Sequence, residues 1–593
     1  MIKLSDYVAK RLKEFHKVKD VFMVSGGGSM HLNDSFGKYI NYICNHNEQA
    51  CAIAAEGYAR VNQNLAVVNV TTGPGGLNCL NGVFGQWTDS APVLYVSGQV
   101  KYSTTMDSCK EIPLRQLGDQ EVDIVSVVKP LTKYAVMLKD KNDVKYVLDK
   151  AVYIATHGRK GPVWIDIPLN IQASIINENE LREYNPKEDE LILPNIDDEV
   201  EKTAELIKNA KRPIIVAGHG IRISGAKSEF LKLVNELKIP VVTTMNGFDI
   251  IPDDNANFIA RIGTVANRAG NFALQNADFV LTIGSRNNIR QVSYNWENFA
   301  KNAKLVCVDI DNAELHKPTI KPLIKINADA KDFIQKLRQK NIVINVAEWS
   351  DFCRNLKKKY PPVSEAERVC NNPIEPYFFI EKLIEQFKDN EVVVGGNGTA
   401  FLLPFQVGKV KQNQRYIWNS GDASMGYDLP AAIGACVANN FQRTVCLAGD
   451  GSIMMNLQEL QTMKHYNLPI KLFVLNNNGY ISIQQTQRNF FEGRFTACTT
   501  ESGVSIPDFI KLANAFGIKS AKIDSVCNIE EQINNVLDTD GLVLCEVMLS
   551  HDYIFAPKLS AKKLEDGTMI SPSLEDMFPF IDREEYSENM IKD

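Results

Sequence analysis

Short runs of branched apolar residues recur along the chain, each closed by a glycine-bearing turn and followed by a longer stretch whose apolar positions return every three or four residues. Ala66–Val70 leads into Thr71-Thr72-Gly73-Pro74-Gly75-Gly76, Pro213–Ala217 into Gly218-His219-Gly220, and Val445–Ala448 into Gly449-Asp450-Gly451. Uninterrupted apolar runs are the mark of strands buried on both faces, and the longer periodic stretches read as the helices that cover them. The pattern predicts an α/β protein built of doubly wound parallel sheets. Two polar stretches read as linkers: Asn177–Asp198, and the one from Ala347 through Pro361-Pro362 to Pro373. They divide the chain into expected domains at 1–180, 190–345 and 365–556, and the polar residues 557–593 read as a tail or lid. The segment Gly161-Pro-Val-Trp-Ile-Asp-Ile-Pro168 is echoed by Gly541-Leu-Val-Leu-Cys-Glu-Val-Met548, which predicts related first and third sheets flanking a middle one.

Composition narrows the class. With 593 residues there is room for three or four such units, and 45% hydrophobic with 23% charged residues is an ordinary globular mix. A net charge of −6 without a Lys/Arg cluster argues against a nucleic-acid partner, which must displace counterions from phosphates. The longest basic run, Lys357-Lys358-Lys359, reads as a helix end. No stretch approaches the ~18 apolar residues of a membrane span. Met1–Lys19 alternates charged and apolar positions, unlike a signal peptide, so a cytoplasmic protein is expected. Twelve cysteines without a Cys-x-x-Cys pair fit reduced thiols.

The most specific chemical signal is Gly449-Asp450-Gly451-Ser452 followed by Asn477 in Leu475-Asn476-Asn477-Asn478-Gly479. A strand at Arg443–Ala448 delivers the acid to a tight turn, a helix at Met455–Tyr466 follows, and a strand at Ile470–Leu475 returns the asparagine to the same edge. Carboxyl ends of neighbouring parallel strands are where such sheets bind ligands. One carboxylate, one amide oxygen and a backbone carbonyl leave room for water and two phosphate oxygens, which is hard-cation chemistry suited to Mg²⁺ or Ca²⁺. Gly-Asp-Gly alone is common; spacing and paired strands give it weight.

This stretch resembles the thiamine diphosphate motif, and its surroundings resemble the acetolactate synthase family. The resemblance covers roughly residues 1 to 560. It implies three domains, namely pyrimidine-binding, central Rossmann-like and diphosphate-binding, with thiamine diphosphate and Mg²⁺ as cofactors. Asp450, Asn477 and the carbonyl of Gly479 become metal ligands, and Gly449, Gly451, Ser452, Tyr480 and Ile481 cofactor contacts. Gly396-Asn397-Gly398-Thr399, after the strand Val392–Val394, matches the family's other diphosphate-binding turn. In Asn419–Ala432, Met425 is implied to wedge between the two cofactor rings, with Ser424 beside it, although a methionine filling a core gap is the plainer reading.

In the first domain the resemblance assigns to Glu48 of His46-Asn47-Glu48-Gln49 the protonation of the cofactor's aminopyrimidine, while Glu56 reads as structural. Gly73, Pro74 and Asn78 become cofactor contacts, Gly27 and Gly28 of the loop after Val21–Val24 line the substrate pocket, and Gln120 stands near the reacting carbonyl. The middle domain, with Gly218-His219-Gly220, Arg286, Arg290, Asp309 and Asp311, resembles the family's FAD-binding domain, which related enzymes keep after losing the flavin. Active sites shared between subunits are implied, hence a homodimer or homotetramer.

The expected reaction is decarboxylation of a 2-keto acid such as pyruvate with transfer of the acyl unit to a carbonyl acceptor. Three departures bear on the acceptor. Gly118-Asp119-Gln120-Glu121 stands where the family has Phe-Gln-Glu, Ile167-Pro168-Leu169-Asn170 where it has Leu-Pro-Lys-Asp, and Ile483-Gln484-Gln485-Thr486-Gln487-Arg488 replaces the segment bearing a tryptophan. They predict a wider, more polar pocket for a hydroxylated or sugar-like acceptor. A simple decarboxylase, a flavin-linked oxidase, a true acetolactate synthase and a scaffold that kept only the fold stay as alternatives.

Overall fold

The computed structural model describes residues 1–368, 372–563, 566 and 568–591. Three six-stranded sheets, each with all its strands parallel, form the framework. The first holds Asp20–Met23, Asn41–Cys44, Ala66–Val70, Val93–Gln99, Tyr134–Met137 and Val163–Pro168, and the third Val392–Gly395, Arg415–Trp418, Thr444–Gly449, Ile470–Asn476, Lys519–Ile523 and Val543–Met548. Numbered along the chain within each sheet, both run in the spatial order 2-1-3-4-6-5. The predicted kinship of the outer sheets is therefore borne out, and the two echoing segments are the sixth strand of each. The middle sheet, from Pro213–Ala217 to Ile324–Asn327, runs 3-2-1-4-5-6, the dinucleotide-binding order.

These orders place the ligand sites. In the outer sheets the chain reverses direction between strands 1 and 3, so the turns after those strands open a crevice at their carboxyl ends. In the third sheet these turns are Gly396–Thr399 and Gly449–Ser452; in the first they are the segments after Met23 and after Val70. In the middle sheet the reversal lies between strands 1 and 4, which end at Ala217 and Ile283.

The outer sheets meet through two helices, Glu48–Asn62 and Asp428–Ala438. Every residue of the second is buried, as a helix apolar all round must be. Asn47 caps the first by accepting from Gln49 N–H, which leaves Glu48 as its opening residue. Buried charges fasten the interfaces. Glu56 accepts from Arg60 at 3.1 Å and from the hydroxyl of Tyr427 at 3.0 Å, while Asp249 of the middle region pairs with Arg222 at 2.7 Å and Arg415 at 2.8 Å. Two desolvated cations hold the Asp249 carboxyl far below the usual carboxylate range against the upward push of burial.

Two expectations change. The stretch from Ala347 is expected to be linker apart from a helix end at Lys357-Lys358-Lys359, but the helix that ends there begins at Ala347, and its Trp349, Cys353 and Leu356 complete the middle core; its many polar residues occupy the outer face. The helix expected at Met455–Tyr466 is shorter, Glu459–His465, and a separate single turn, Asp450–Ile453, precedes it. The end of the chain is a strap on the middle sheet: Arg268, Asn271, Gln275 and Asn276, on one face of the helix Arg268–Asn276, donate to carbonyls of Met577, Leu574 and Asn589 and to the Glu575 carboxylate. Leu574 and Met577 are buried beneath it. No helix among the described residues is long and apolar enough to cross a membrane.

Candidate active site

At the crevice of the third sheet, Asp450 ends one strand and Asn477 the next. Asp450 gathers three backbone N–H groups, from Gly451 at 2.7 Å and from Asn477 and Gly479 at 3.0 Å each. No basic side chain pairs with it among the described residues, and burial pushes its carboxyl up to about 6 despite those donors. A buried carboxylate without a counter-charge is costly. Beside it the side-chain oxygen of Asn477 is buried with no hydrogen-bond partner. Gly479, at φ +130°, adds its carbonyl, whose one hydrogen bond within the turn is from Ile481 N–H at 3.0 Å. Carboxylate, unpaired amide oxygen and carbonyl belong to residues that the Asp450 hydrogen bonds hold side by side, and an all-oxygen donor set of this kind fits a hard cation such as Mg²⁺.

The turns around this trio pack too closely on their neighbours to bear side chains. A Cβ on Gly451 would lie 2.1 Å from the Tyr480 ring, and one on Gly396 would lie 2.5 Å from Asp428 Oδ2. Gly426 N–H donates to Ser452 Oγ at 2.9 Å, Asn397 side-chain N–H donates to the Ala423 carbonyl, and Ser424 Oγ–H donates to the Met425 carbonyl at 3.0 Å. Gly396–Thr399, Ser424–Met425 and Gly449–Ser452 are thereby joined, with Met425 half-buried. Ile481 lies in the core rather than on the crevice.

In the first sheet the same edge carries Gly27 and Gly28, the Thr72–Gly75 turn and Glu48. Gly28 N–H donates to Thr71 Oγ1 at 3.1 Å, whereas a Cβ on Gly27 would meet nothing within 4 Å, so Gly27 fronts open space. Glu48 is half-buried and accepts from Asn78 Nδ2 at 2.9 Å. Gln120 holds φ +60°, and its carbonyl would lie 2.0 Å from a Cβ on Gly73, itself at φ +60°. The Gln120 loop thus rests on the turn that begins Pro74–Asn78. Among the described residues no hydrogen bond joins Glu48 to Asp450 or Asn477.

A buried relay sits behind this edge. Gln99 uses its whole amide: Nε2 donates to Asp166 at 3.0 Å and to the Val122 carbonyl at 3.1 Å, while Oε1 accepts from Thr72 at 2.5 Å and from Val100 N–H at 3.0 Å. It therefore ties the Thr72 turn to the loop of Gln120. Burial pushes Asp166 from 3.8 up to about 7, opposed by hydrogen bonds from Ser97 and Gln99. The folded protein holds a proton that the unfolded chain releases from pH ~4 upward, so this group's stability contribution is full below that pH and falls as pH rises towards 7. Against Asp166→Asn, wild type should lose at most about 4 kcal/mol between pH 4 and 8, read from denaturant unfolding of both proteins; a pH-independent difference would contradict the assignment.

The middle sheet carries a cavity of about 370 Å³ at its switch point, lined by Gly220, Gly284, Arg286 and Asp309 together with Arg159 of the first region and Ser420 of the third. Gly218 and Gly284 touch so closely that a Cβ on Gly218 would lie 2.2 Å from the Gly284 carbonyl. Burial pushes Asp309 up to about 6. His219 is also in the wall; burial, then Arg60, Arg415 and Arg222, keep it neutral, and its Nδ1 has no partner. These features fit a nucleotide. Arg290 and Asp311 are not in the wall: Arg290 offers its carbonyl to Thr264 N–H at 2.8 Å, and Asp311 caps Asn312–His316 and pairs with Arg159 at 2.7 Å.

Arg159, His219, Asp428 and Tyr553 were missed as candidates. Asp428, inside a segment singled out for its methionine, buries an unpaired Oδ2 against Gly396. Its charge at the head of an otherwise apolar helix was the available signal. The polar wall expected from the glutamines is corrected. Gln484 donates to the Cys498 carbonyl, Gln485 to the Tyr553 carbonyl, and Gln487 to the Thr496 carbonyl, each at 3.0 Å, so all three are spent on backbone.

Known proteins match along this whole arrangement. Residues 2–127 match the family described as "Thiamine pyrophosphate enzyme, N-terminal TPP binding domain", residues 200–337 its central domain and residues 396–547 its C-terminal TPP binding domain. The acetolactate synthase large subunit of Cyanidium caldarium is 30% identical, over 90% of this chain and 91% of its own length. That of Lactococcus lactis is 31% identical over 94% of each, and the probable one of Methanococcus aeolicus 31% over 89% of each.

Proposed function

Because the chain belongs to the thiamine pyrophosphate enzymes of the acetolactate synthase kind, we propose that it decarboxylates a 2-keto acid, pyruvate first among them, and transfers the acyl unit to a carbonyl acceptor. The observation that carries this reading is the unpaired, buried Asn477 oxygen beside Asp450 at the third sheet's switch point. Bound there with Mg²⁺, thiamine diphosphate supplies the carbon nucleophile and the electron sink that decarboxylation needs. Asp450, Asn477 and the Gly479 carbonyl hold the cation, and Gly396–Thr399 and Gly449–Ser452 face the diphosphate. Glu48 exchanges a proton with the pyrimidine ring. Gln120, held against Gly73, and the open Gly27 position the reacting carbonyl.

Glu48 and Asp450 act together across two copies of the chain. The exposed apolar residues Leu77, in the helix opened by the Gly73 turn, and Met454 and Met455, directly after the Asp450 turn, support this, since exposed apolar groups on both half-sites call for cover. FAD is proposed for the middle cavity, with Asp309 towards a ribose and Arg286 towards phosphate. A hydroxylated acceptor is supported by Asp119, exposed next to Gln120, and not by the glutamines.

The test is consumption of pyruvate with thiamine diphosphate and Mg²⁺, products being identified by mass with and without added hydroxyaldehydes. Wild type should consume pyruvate, and Asp450→Asn should not. Acetolactate as the sole fast product would make the acceptor a second pyruvate, aldehyde release would make the enzyme a decarboxylase, and no turnover of any 2-keto acid by cofactor-loaded protein would end the proposal.

A further inference from the structure

We propose that Tyr553, with Thr399, is a positioning residue that turns the Asn477 amide so that its oxygen faces the cation. Asn477 has two donors and one acceptor group on its side chain. Its Nδ2 donates to Thr399 Oγ1 at 3.2 Å and to the Tyr553 hydroxyl at 3.3 Å, and those two hydroxyls hydrogen-bond each other. The amide nitrogen is thus held in a closed triangle. The oxygen is left buried and without a protein partner, while the backbone N–H of the same residue donates to Asp450 at 3.0 Å.

The triangle joins three distant segments. Thr399 opens the helix after the Gly396–Gly398 turn, Asn477 follows the fourth strand, and Tyr553 follows the sixth. Tyr553 is 6% exposed, and its backbone is clamped by Gln485, whose Nε2 donates to the Tyr553 carbonyl at 3.0 Å while its Oε1 accepts from Phe555 N–H at 3.3 Å. Its ring also packs edge-on against Phe555, with centroids 5.5 Å apart. The clamp fixes the backbone from which the ring projects, and burial with the Phe555 contact restrains the ring itself, so the hydroxyl is held in place. Groups that orient a metal ligand typically account for 10–100-fold in affinity, because the ligand no longer arrives pre-turned. The polar glutamine beside the candidate acceptor pocket thereby gains a purpose: it holds the residue that holds the metal ligand.

The inference rests on the proposed cation site. The experiment titrates Mg²⁺ into the full chain at saturating thiamine diphosphate, followed by calorimetry, for wild type, Tyr553→Phe, Thr399→Val, Thr399→Ser and Asp450→Asn. Tyr553→Phe and Thr399→Val should each weaken Mg²⁺ about 10-fold with melting temperatures close to wild type, and Thr399→Ser, which keeps the hydroxyl, should bind like wild type. Mg²⁺ affinity unchanged in both hydroxyl deletions, while Asp450→Asn loses it, would overturn the positioning role alone. Asp450→Asn binding Mg²⁺ as tightly as wild type would overturn the site itself. Should Tyr553→Phe fail to fold, the Val/Ser pair at Thr399 decides.

Discussion

Glu48→Gln is expected to lower 2-keto acid turnover by about 10²–10⁴-fold while thiamine diphosphate and Mg²⁺ still bind. The substitution keeps the length of the side chain and an oxygen that can accept from Asn78, which now donates at 2.9 Å. It keeps the cap, since Asn47 rather than Glu48 satisfies the first turn of Glu48–Asn62. Only the exchangeable proton is lost, so the drop should fall on kcat more than on cofactor affinity. Gly75 sharpens the case: a Cβ there would stand 3.7 Å from Glu48 Oε1, so the turn that carries Gly73 and Pro74 runs directly beside the carboxylate. Glu56, eight positions on, is committed to Arg60 and Tyr427 between the outer sheets and should not substitute. Steady-state rates and cofactor titration on the same preparations check this. A variant that turns over within a few-fold of wild type would remove Glu48 from proton transfer.

What could be read in the sequence was what lies close together in it. Asp450 and Asn477 are consecutive strand ends, so hydrophobic runs and a glycine turn were enough to place both on one sheet edge. The fold class followed from the same apolar runs, and the kinship of the outer sheets from a single echoing strand. Tyr553 escaped because nothing in its neighbourhood differs from an ordinary aromatic core position. Its meaning lies in a hydroxyl that meets Thr399 and Asn477, 154 and 76 positions away. The glutamines failed in the opposite way: residue type suggested a polar wall, but a polar side chain can be consumed by backbone groups that a sequence does not display. His219 lies within the Gly218-His219-Gly220 turn but was passed over for the glycines, and Arg159 reaches the same cavity from another sheet, where no local pattern marks it.

The contact most remote from sequence reasoning predicts the largest loss of stability. A Cβ on Gly434 would lie 1.7 Å from the carbonyl of Ala54, and one on Gly57 would lie 2.3 Å from that of Ala431. Glycines on each of two crossing helices thus let backbone touch backbone. The helices cannot drift apart cheaply, because Ala50–Arg60 on one side and all of Asp428–Ala438 on the other are buried, and close-packed interiors transmit strain. Gly434→Ala should therefore cost about 3 kcal/mol or more, although alanine is the better helix former by about 1 kcal/mol. Gly37→Ala makes the same chemical change in the helix Met30–Tyr39, where the new methyl would find its nearest neighbour at 3.8 Å, and it should be neutral or slightly stabilising. Since a chain with three sheets need not unfold in one step, the first transition in calorimetry is the one to compare. The loss should extend to the site, because one helix begins at Glu48 and the other follows Met425, so prying them apart displaces both half-sites that the chain contributes. Gly434→Ala should accordingly bind thiamine diphosphate and Mg²⁺ more weakly and Gly37→Ala should not. Equal melting of the two variants would mean that the helices part without cost and that the close crossing does not set the geometry of the site.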